Sequence, residues 1–113
     1  MDMPRSANFA SGSDFLNALS IWESGVNEKA LGLAKLYANT PAFEGPLKWC
    51  GSEKLKCIRL SVDGVPDYDR YILPALSSLA TSLQNDGLDA ERLYHGIEAV
   101  RGESNYVIYA QVA

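Results

Sequence analysis

The sequence predicts a single α+β domain in which helices pack on one face of a small, mainly antiparallel sheet. Three patterns support this fold class. Apolar residues recur every three or four positions in 15–37 and again in 76–83, which is the period of an amphipathic helix. Apolar and polar residues alternate in 58–62, which is the period of a strand. The chain closes with YVIYAQVA, a segment rich in β-branched and aromatic residues.

Length and composition fit one folded domain. With 113 residues the chain has a common domain size. Its 47% hydrophobic and 21% charged residues are typical of a globular protein rather than of a disordered chain. We expect residues 1–12 to form a flexible N-terminal tail and residues 13–113 to form the domain, with two N-terminal helices first and a C-terminal strand last.

Helical segments are predicted at the start of the domain. Ser13 can accept a hydrogen bond from an exposed backbone N–H and so begin the first helix. The apolar stripe of that helix consists of Phe15, Leu19 and Trp22. Asn27 can cap a second run over 30–37, and Pro41 ends this run because the residue before a proline avoids helical geometry. The pattern fits two helices or one helix kinked at Gly25.

A β-hairpin is predicted next, after a loop with the sequence TPAFEGPL. Its strands are LKWC and KLKCIRLSV, and its bend lies at Gly51. Ile58, Leu60 and Val62 alternate with polar residues. The alternation slips near Cys57, which indicates a bulge or an imperfect register.

The segment SVDGVPDYDRYILP contains three aspartates within seven positions. Asp63 and Gly64 form a pair typical of turns, and Pro66 suits the first position of a helix, where no backbone N–H is needed. Asp67 and Asp69 then lie where the positive end of a helix stabilises acidic side chains, by about 0.3–1 kcal/mol each. We therefore expect a turn and a helix cap here rather than a metal site.

Pro74 leaves the path of the preceding residues open, because a proline inside a helix costs about 3 kcal/mol. The segment YDRYIL is either a short helical turn or a second hairpin strand before a helix that begins at Pro74, or one kinked helix runs from residue 67. An apolar stripe predicts the helix over 74–85, with Gly87 as its C-cap.

A further helix is the favoured prediction for residues 91–100. Its apolar face would consist of Leu93, Ile97 and Val100. Gly102 would follow its last turn, although Gly96 weakens a helix by up to about 1 kcal/mol. A strand that forms a hairpin with the final strand is the alternative.

No catalytic or metal-binding pattern is recognisable in the sequence. The chain has one histidine, His95, so zinc sites built on a pair of histidines cannot form. Cys50 and Cys57 are separated by six residues, which is too many for a zinc knuckle. An acid–base couple of His95 and Glu98 would have no nucleophile or oxyanion site beside it. We expect no catalytic residue, no metal, no cofactor and no enzyme activity.

Composition also bears on location and partner class. No run of about eighteen apolar residues occurs, so no membrane span is expected. The first residues do not resemble a secretion signal, and we expect a cytoplasmic protein whose cysteines remain thiols. The net charge of −4 argues against direct nucleic-acid binding, which needs a concentrated basic face.

The aromatic residues divide into two groups. Trp22, Tyr37 and one of Tyr106 and Tyr109 are expected to anchor the core, because their neighbours are apolar. The tyrosines that lie among charged residues are Tyr68, Tyr71 and Tyr94. Tyrosine in a charged setting is typical of an interface rim or of an ordinary half-buried position.

The predicted function is that of a small acidic protein that binds another protein and occludes it. The predicted contact surface is acidic and lies around 63–71 and 86–94. It consists of Asp67, Tyr68, Asp69, Tyr71, Asp86, Asp89, Glu91 and Tyr94. The expected partner is a basic protein such as a nucleic-acid-handling enzyme or a toxin, because opposite charges speed docking. Immunity proteins and phage-borne antagonists of host defence are of this class, although no motif connects the chain to them.

Two other functions stay open at this level. The chain could be a small-ligand-binding or accessory module with a pocket between the helices and the sheet. It could also be an enzyme that uses Glu or Asp together with Tyr. The partner's identity and the oligomeric state cannot be read from the sequence.

Overall fold

The computed structural model describes residues 8–11, 14, 17–18, 27–45 and 55–112. Elements with described bounds follow one another from residue 28 to residue 112. They are helix α1 (Glu28–Asn39), strand β1 (Ala42–Glu44), strand β2 (Leu55–Leu60), a π-helical turn (Tyr68–Ile72), helix α2 (Leu73–Asn85), strand β3 (Ala90–Val100) and strand β4 (Glu103–Val112).

The α+β class predicted from the sequence is confirmed, and β4 is the predicted C-terminal strand. The two helices with described bounds are not both N-terminal, because α1 precedes the strands whereas α2, the helix predicted over 74–85, lies between β2 and β3. The predicted first helix falls on residues that the structure does not describe, namely its cap Ser13 and its stripe of Phe15, Leu19 and Trp22.

The four strands form one mixed sheet in the order β1-β3-β4-β2. β3 and β4 are antiparallel neighbours, β4 and β2 are also antiparallel, and only the short β1 runs parallel to β3. β2 is the predicted strand around Ile58, which lies opposite Ile108 of β4. The other half of the predicted hairpin, LKWC with its bend at Gly51, lies outside the described residues.

The favoured helix over 91–100 is wrong, since these residues form β3. Leu93 and Ile97 are four positions apart, a spacing that places two side chains on one face of a helix but equally on one face of a strand. Val100 does not share their environment and is 45% exposed. A tight turn at Arg101 and Gly102, with φ values of 53° and 81°, joins β3 to β4.

Gly96 explains how β1 reaches the sheet. It lies opposite Phe43 of β1 and has a φ of 154°. A Cβ at this position would meet the Phe43 carbonyl oxygen at 1.9 Å. Only glycine therefore permits this close approach of the two backbones.

Helix α1 begins and ends as the sequence predicts. The Asn27 side chain accepts a hydrogen bond from the Ala30 N–H at 2.7 Å. At the other end Thr40 is extended, with a φ of −101° and a ψ of 124°, and Pro41 follows. Between these ends, α1 buries Ala30, Leu33 and Ala34.

The π-helical turn resolves the open question about Pro74. The Ile72 N–H donates to the Asp67 carbonyl at 3.3 Å, five residues back, and the Leu73 N–H donates to the Tyr68 carbonyl. This wider turn continues directly into α2, so Pro74 lies within one helical segment, just after the π-helical bonds give way to α-helical ones. The residues before Pro74 are helical and continuous with α2, which agrees with the kinked-helix alternative and in part with the helical-turn alternative, and the hairpin-strand alternative is wrong. Pro66 precedes the turn instead of beginning it.

Helix α2 ends at the predicted glycine. Gly87 has a φ of 67°, the Leu88 N–H donates to the Leu83 carbonyl at 2.9 Å, and the Gly87 N–H donates to the Gln84 carbonyl at 3.1 Å. These two bonds satisfy carbonyls at the helix end in a Schellman motif.

The main core lies between the helices and one face of the sheet. The largest fully buried side chains come from the π-helical turn, α2, β3 and β4, and they include Ile72, Leu73, Leu76, Leu79, Leu83, Leu93 and Ile108. A second, smaller apolar cluster lies on the other face. It contains Val107 and Tyr109, with Phe43, Leu55, Cys57 and Tyr94 packed against them. Among the described residues, no helix is long and apolar enough to cross a membrane.

Candidate functional site

His95 lies in a cluster that connects the helices to the sheet. We define the His95 cluster as Tyr37, Thr40, Tyr68, His95 and Tyr106. β3 and β4 supply His95 and Tyr106, α1 supplies Tyr37, and the π-helical turn supplies Tyr68. The His95 ring stacks on Tyr37 with 3.9 Å between centroids, and Tyr37 in turn contacts Tyr68 at 5.5 Å. The His95 ring thus contacts α1 and β4 directly, and it contacts the π-helical turn through the ring of Tyr37.

Hydrogen bonds fix the tautomer of His95. Its Nε2 lies 2.8 Å from the Thr40 carbonyl oxygen, which can only accept, so Nε2 carries the proton and donates. In the neutral ring Nδ1 must then accept, and the Tyr106 hydroxyl donates to it at 2.8 Å. The Tyr106 oxygen accepts in turn from the Tyr37 hydroxyl at 3.0 Å. The chain runs in one direction from Tyr37 through Tyr106 to His95.

Burial keeps every ring of this chain neutral. Desolvation lowers the pKa of His95 from its usual value of 6.5, although backbone hydrogen bonds to Thr40 and Tyr37 oppose this shift. Desolvation also raises the pKa of Tyr37, with a further contribution from its bond to Tyr106. The pKa values of Tyr68 and Tyr106 are raised by the same cause. At neutral pH the cluster holds one imidazole and three phenols without charge.

This geometry does not suit His95 to catalysis. The residue is 7% exposed, and both ring nitrogens are engaged by protein groups. In a helix, Glu98 would lie about one turn from His95. In β3 it is three positions from His95 and therefore lies on the opposite face of the sheet. The pair considered from the sequence is not brought together.

Glu98 belongs to a different group, on the face with the smaller cluster. It is 7% exposed, and its Oε2 accepts a hydrogen bond from the Tyr109 hydroxyl at 2.8 Å. Its Oε1 lies 3.9 Å from Nη2 of Arg59 on β2. Beside it is an open cleft of about 480 Å³ at the β3–β4 turn, which we call the hairpin cleft. Its lining residues are Arg59, Glu98, Val100, Arg101, Glu103 and Asn105.

The predicted contact residues at 67–71 have mixed environments. Asp67 is exposed, and its Oδ1 caps the π-helical turn by accepting from the Asp69 N–H at 3.1 Å. Asp69 is buried, and Tyr68 packs against the core as part of the His95 cluster. Tyr71 is half-buried with the Arg70 guanidinium 5.3 Å from its ring centre. Of these four side chains, Asp67 is the exposed one.

Of the predicted contact residues at 86–94, the three acidic ones lie near the other end of α2, whereas Tyr94 lies within β3 on the face with the smaller cluster. Asp86 pairs with Lys56, Asp89 pairs with Lys29 at 3.3 Å, and Glu91 is exposed at the start of β3. The half-buried Tyr94 donates to Gln111 at 2.9 Å. Because α2 has 13 residues, its ends are about 20 Å apart. The two predicted groups therefore do not form one continuous patch.

The structure adds an apolar residue between the aspartates. We define the acidic loop as residues 63–67. Val65 at its centre is 72% exposed, which makes it the more exposed of the two large hydrophobic side chains at the described surface. Asp63 and Asp67 flank it and are exposed. Val65 is not among the contact residues predicted from the sequence, although an apolar residue between turn-forming residues is a visible signal.

Comparisons with known proteins assign no family. Neither the protein-family models, nor the curated proteins, nor the solved structures gave a match. Within the described parts of the chain, no three His, Cys, Asp or Glu side chains are grouped as metal ligands would be.

Proposed function

We propose that the protein acts by binding and occluding another protein, without chemistry of its own. The observation that carries this proposal is the acidic loop with Val65 at its centre. A solvent-facing valine costs a monomer the free energy that its burial would contribute, about 1.5–3 kcal/mol. Burial against a partner recovers that free energy, and the flanking carboxylates supply a polar rim.

The loop also defines the chemistry of the partner. Asp63 and Asp67 are both exposed and separated by four positions, and the chain as a whole has a net charge of −4. A complementary surface would offer a small apolar pocket for Val65 with basic residues at its edge. Such charge complementarity chiefly raises the association rate and adds salt dependence.

We infer from the state of the titratable side chains that the protein has no catalytic activity. His95 has both ring nitrogens engaged inside the fold. Glu98 is buried and held by Tyr109. These groups are positioned as structural partners, which leaves shape and charge as the means of recognition.

Substitutions in the acidic loop test the proposal. Lysates of the source organism are passed over the immobilised protein and over Val65→Ser and Asp63→Lys, and retained proteins are identified. We expect one basic protein to bind the wild type and to lose affinity about tenfold or more with Val65→Ser, the equivalent of roughly 1.4 kcal/mol. Asp63→Lys should chiefly slow association and weaken its salt dependence.

A matched variant controls for the loss of an exposed valine. Val100 is 45% exposed and belongs to β3 rather than to the acidic loop, so Val100→Ser should bind as the wild type does. Glu91→Lys tests whether the other end of α2 takes part in binding. Equal retention of every protein by wild type, Val65→Ser and Asp63→Lys would contradict the proposal.

Small-ligand binding is a second candidate, favoured by the hairpin cleft rather than by a space between helices and sheet. Its lining carries two arginines and two glutamates, which suits a small molecule with both an anionic and a cationic group. Free amino acids would then raise the melting temperature of the wild type, and Arg101→Ala would abolish the shift. The candidate fails if no amino acid or other zwitterion at millimolar concentration shifts the transition.

A further inference from the structure

We propose that the His95 cluster is an acid-sensitive latch that holds the acidic loop in place. The loop ends at Asp67, and Tyr68 follows it as the first residue of the π-helical turn. The His95 cluster therefore lies next to the loop along the chain. A change in the state of His95 can reach the loop through the contacting rings of Tyr37 and Tyr68.

Protonation would reverse the hydrogen-bond chain. In the neutral state Nδ1 of His95 accepts from the Tyr106 hydroxyl. In the imidazolium Nδ1 carries a proton, so it must donate, and Tyr106 has to turn its own proton away. The available acceptor on that side is the Tyr37 oxygen, 3.0 Å away. The Tyr37 hydroxyl must then rotate as well, while the bond from Nε2 to Thr40 stays the same.

Burial disfavours the imidazolium, although backbone hydrogen bonds to Thr40 and Tyr37 favour it. The rings that contact it, Tyr37 on α1 and Tyr106 on β4, are neutral because burial raises their pKa values. Tyr68 on the π-helical turn is also neutral, and the negative charge beside it belongs to Asp69 on the same turn. Stacking on Tyr37 offsets part of the cost of a buried cation. The remaining cost is relieved when α1 and the π-helical turn loosen their packing on β3.

The latch has a consequence for binding. Above the usual pKa of histidine the cluster is neutral and fixes Tyr68, so the acidic loop keeps one conformation. In acid, the loosened turn would release the loop and weaken partner binding. This last step depends on the proposed function, whereas the latch itself can be tested on the free protein.

The test is an NMR titration between about pH 7 and about pH 5, the range in which histidine changes charge. The chain has one histidine, so the ring signals of an untagged sample belong to His95. We expect its midpoint to lie below 6.5 and the backbone amides of 63–72 to shift with the same midpoint. Hydrogen exchange of these amides, corrected for intrinsic rate, should accelerate as His95 is protonated. The backbone amides of residues 86–88, at the far end of α2, are an internal control and should not change with the His95 titration.

His95→Gln removes the titration and keeps the hydrogen bonds. The amide oxygen can accept from Tyr106 and the amide nitrogen can donate to Thr40. In this variant the chemical shifts and the exchange rates of the 63–72 backbone amides should no longer show a pH transition at the midpoint of His95. A His95 midpoint at or above 6.5, or amides of 63–72 that do not follow it in the wild type, would overturn the proposal. The wild-type titration decides the question even if the variant does not fold, and loss of binding by Val65→Ser is a separate result.

Discussion

Gly96 has a hydrogen atom where any other residue would have a side chain, and the close approach of β1 to β3 depends on this. The Phe43 carbonyl oxygen would be 1.9 Å from a Cβ there, and the neighbouring backbone atoms of Phe43 would be 2.7 Å away. Because backbone atoms cannot rotate aside, Gly96→Ala must displace β1. Overpacking typically lowers the unfolding free energy by about 1–3 kcal/mol. We expect a loss near or above the upper end of this range, measured by urea unfolding.

Gly32 provides a control with the same chemical change. It lies in α1, and a Cβ there would have no atom within 4 Å. Gly32→Ala should therefore stabilise the protein, by up to about 1 kcal/mol, since alanine is the better helix former. Equal effects of the two substitutions would show that β1 does not approach β3 as closely as described. Gly96→Ala should also disturb the ring signals of His95, because Thr40, the acceptor of its Nε2 proton, lies two residues before β1.

Among the elements, those specified by neighbouring residues were predicted from the sequence. The caps of α1 and α2 and the final strand depend on side chains or glycines within a few residues, and Asn27 and Gly87 perform the predicted roles. β3 was predicted as a helix because the spacing of Leu93 and Ile97 fits either structure. Its turn gave no clear hairpin signal, since Arg101 adopts the positive φ that Asn or Gly usually supplies.

The end of α2 allows a prediction about a single element. Gly87 has a φ of 67° and open space around it, so its replacement acts through the backbone alone. Gly87→Ala should lower the unfolding free energy by about 1–2 kcal/mol, the cost of the left-handed conformation for an L-residue. Gly87→Asn should cost less, because asparagine tolerates this conformation.

Urea midpoints of the two Gly87 variants measure the difference. An alanine variant as stable as the wild type would show that α2 does not end in the Schellman motif. Exchange protection of the Leu88 amide, which donates to the Leu83 carbonyl, provides an independent check on the same element.

At the scale of the whole molecule, the sequence could not predict which residues form the candidate sites. His95 is 55 residues from Thr40, and Tyr37 is 69 residues from Tyr106, so their contacts exist only after the sheet and α1 have packed. Tyr37 and Tyr106 were expected in the core, yet not as partners of the histidine. The predicted acidic surface is not continuous, because the length of α2 separates its two halves.

The three desolvated phenols of the His95 cluster make the stability of the whole fold depend on pH in alkali. The pKa values of Tyr37, Tyr68 and Tyr106 are raised in the folded state above their usual value of 10.0, chiefly by desolvation. Above pH 10 the unfolded chain therefore loses phenolic protons that the folded protein keeps. The stability from these neutral phenols is complete below that pH and declines as the pH rises, by up to about 1.4 kcal/mol per pH unit for each phenol.

Tyr37→Phe isolates one of these phenols. Urea unfolding at a series of pH values from about 8 to about 11 gives the slope of stability against pH. We expect the slope of the variant above pH 10 to be shallower by one proton, although the variant is less stable at neutral pH because it lacks the hydroxyl that donates to Tyr106. Lysines and exposed tyrosines titrate in both proteins, so the difference between the two curves cancels them. Identical slopes would mean that Tyr37 ionises in the folded protein, and the buried tyrosine–histidine packing that connects α1 to the sheet would then be wrong.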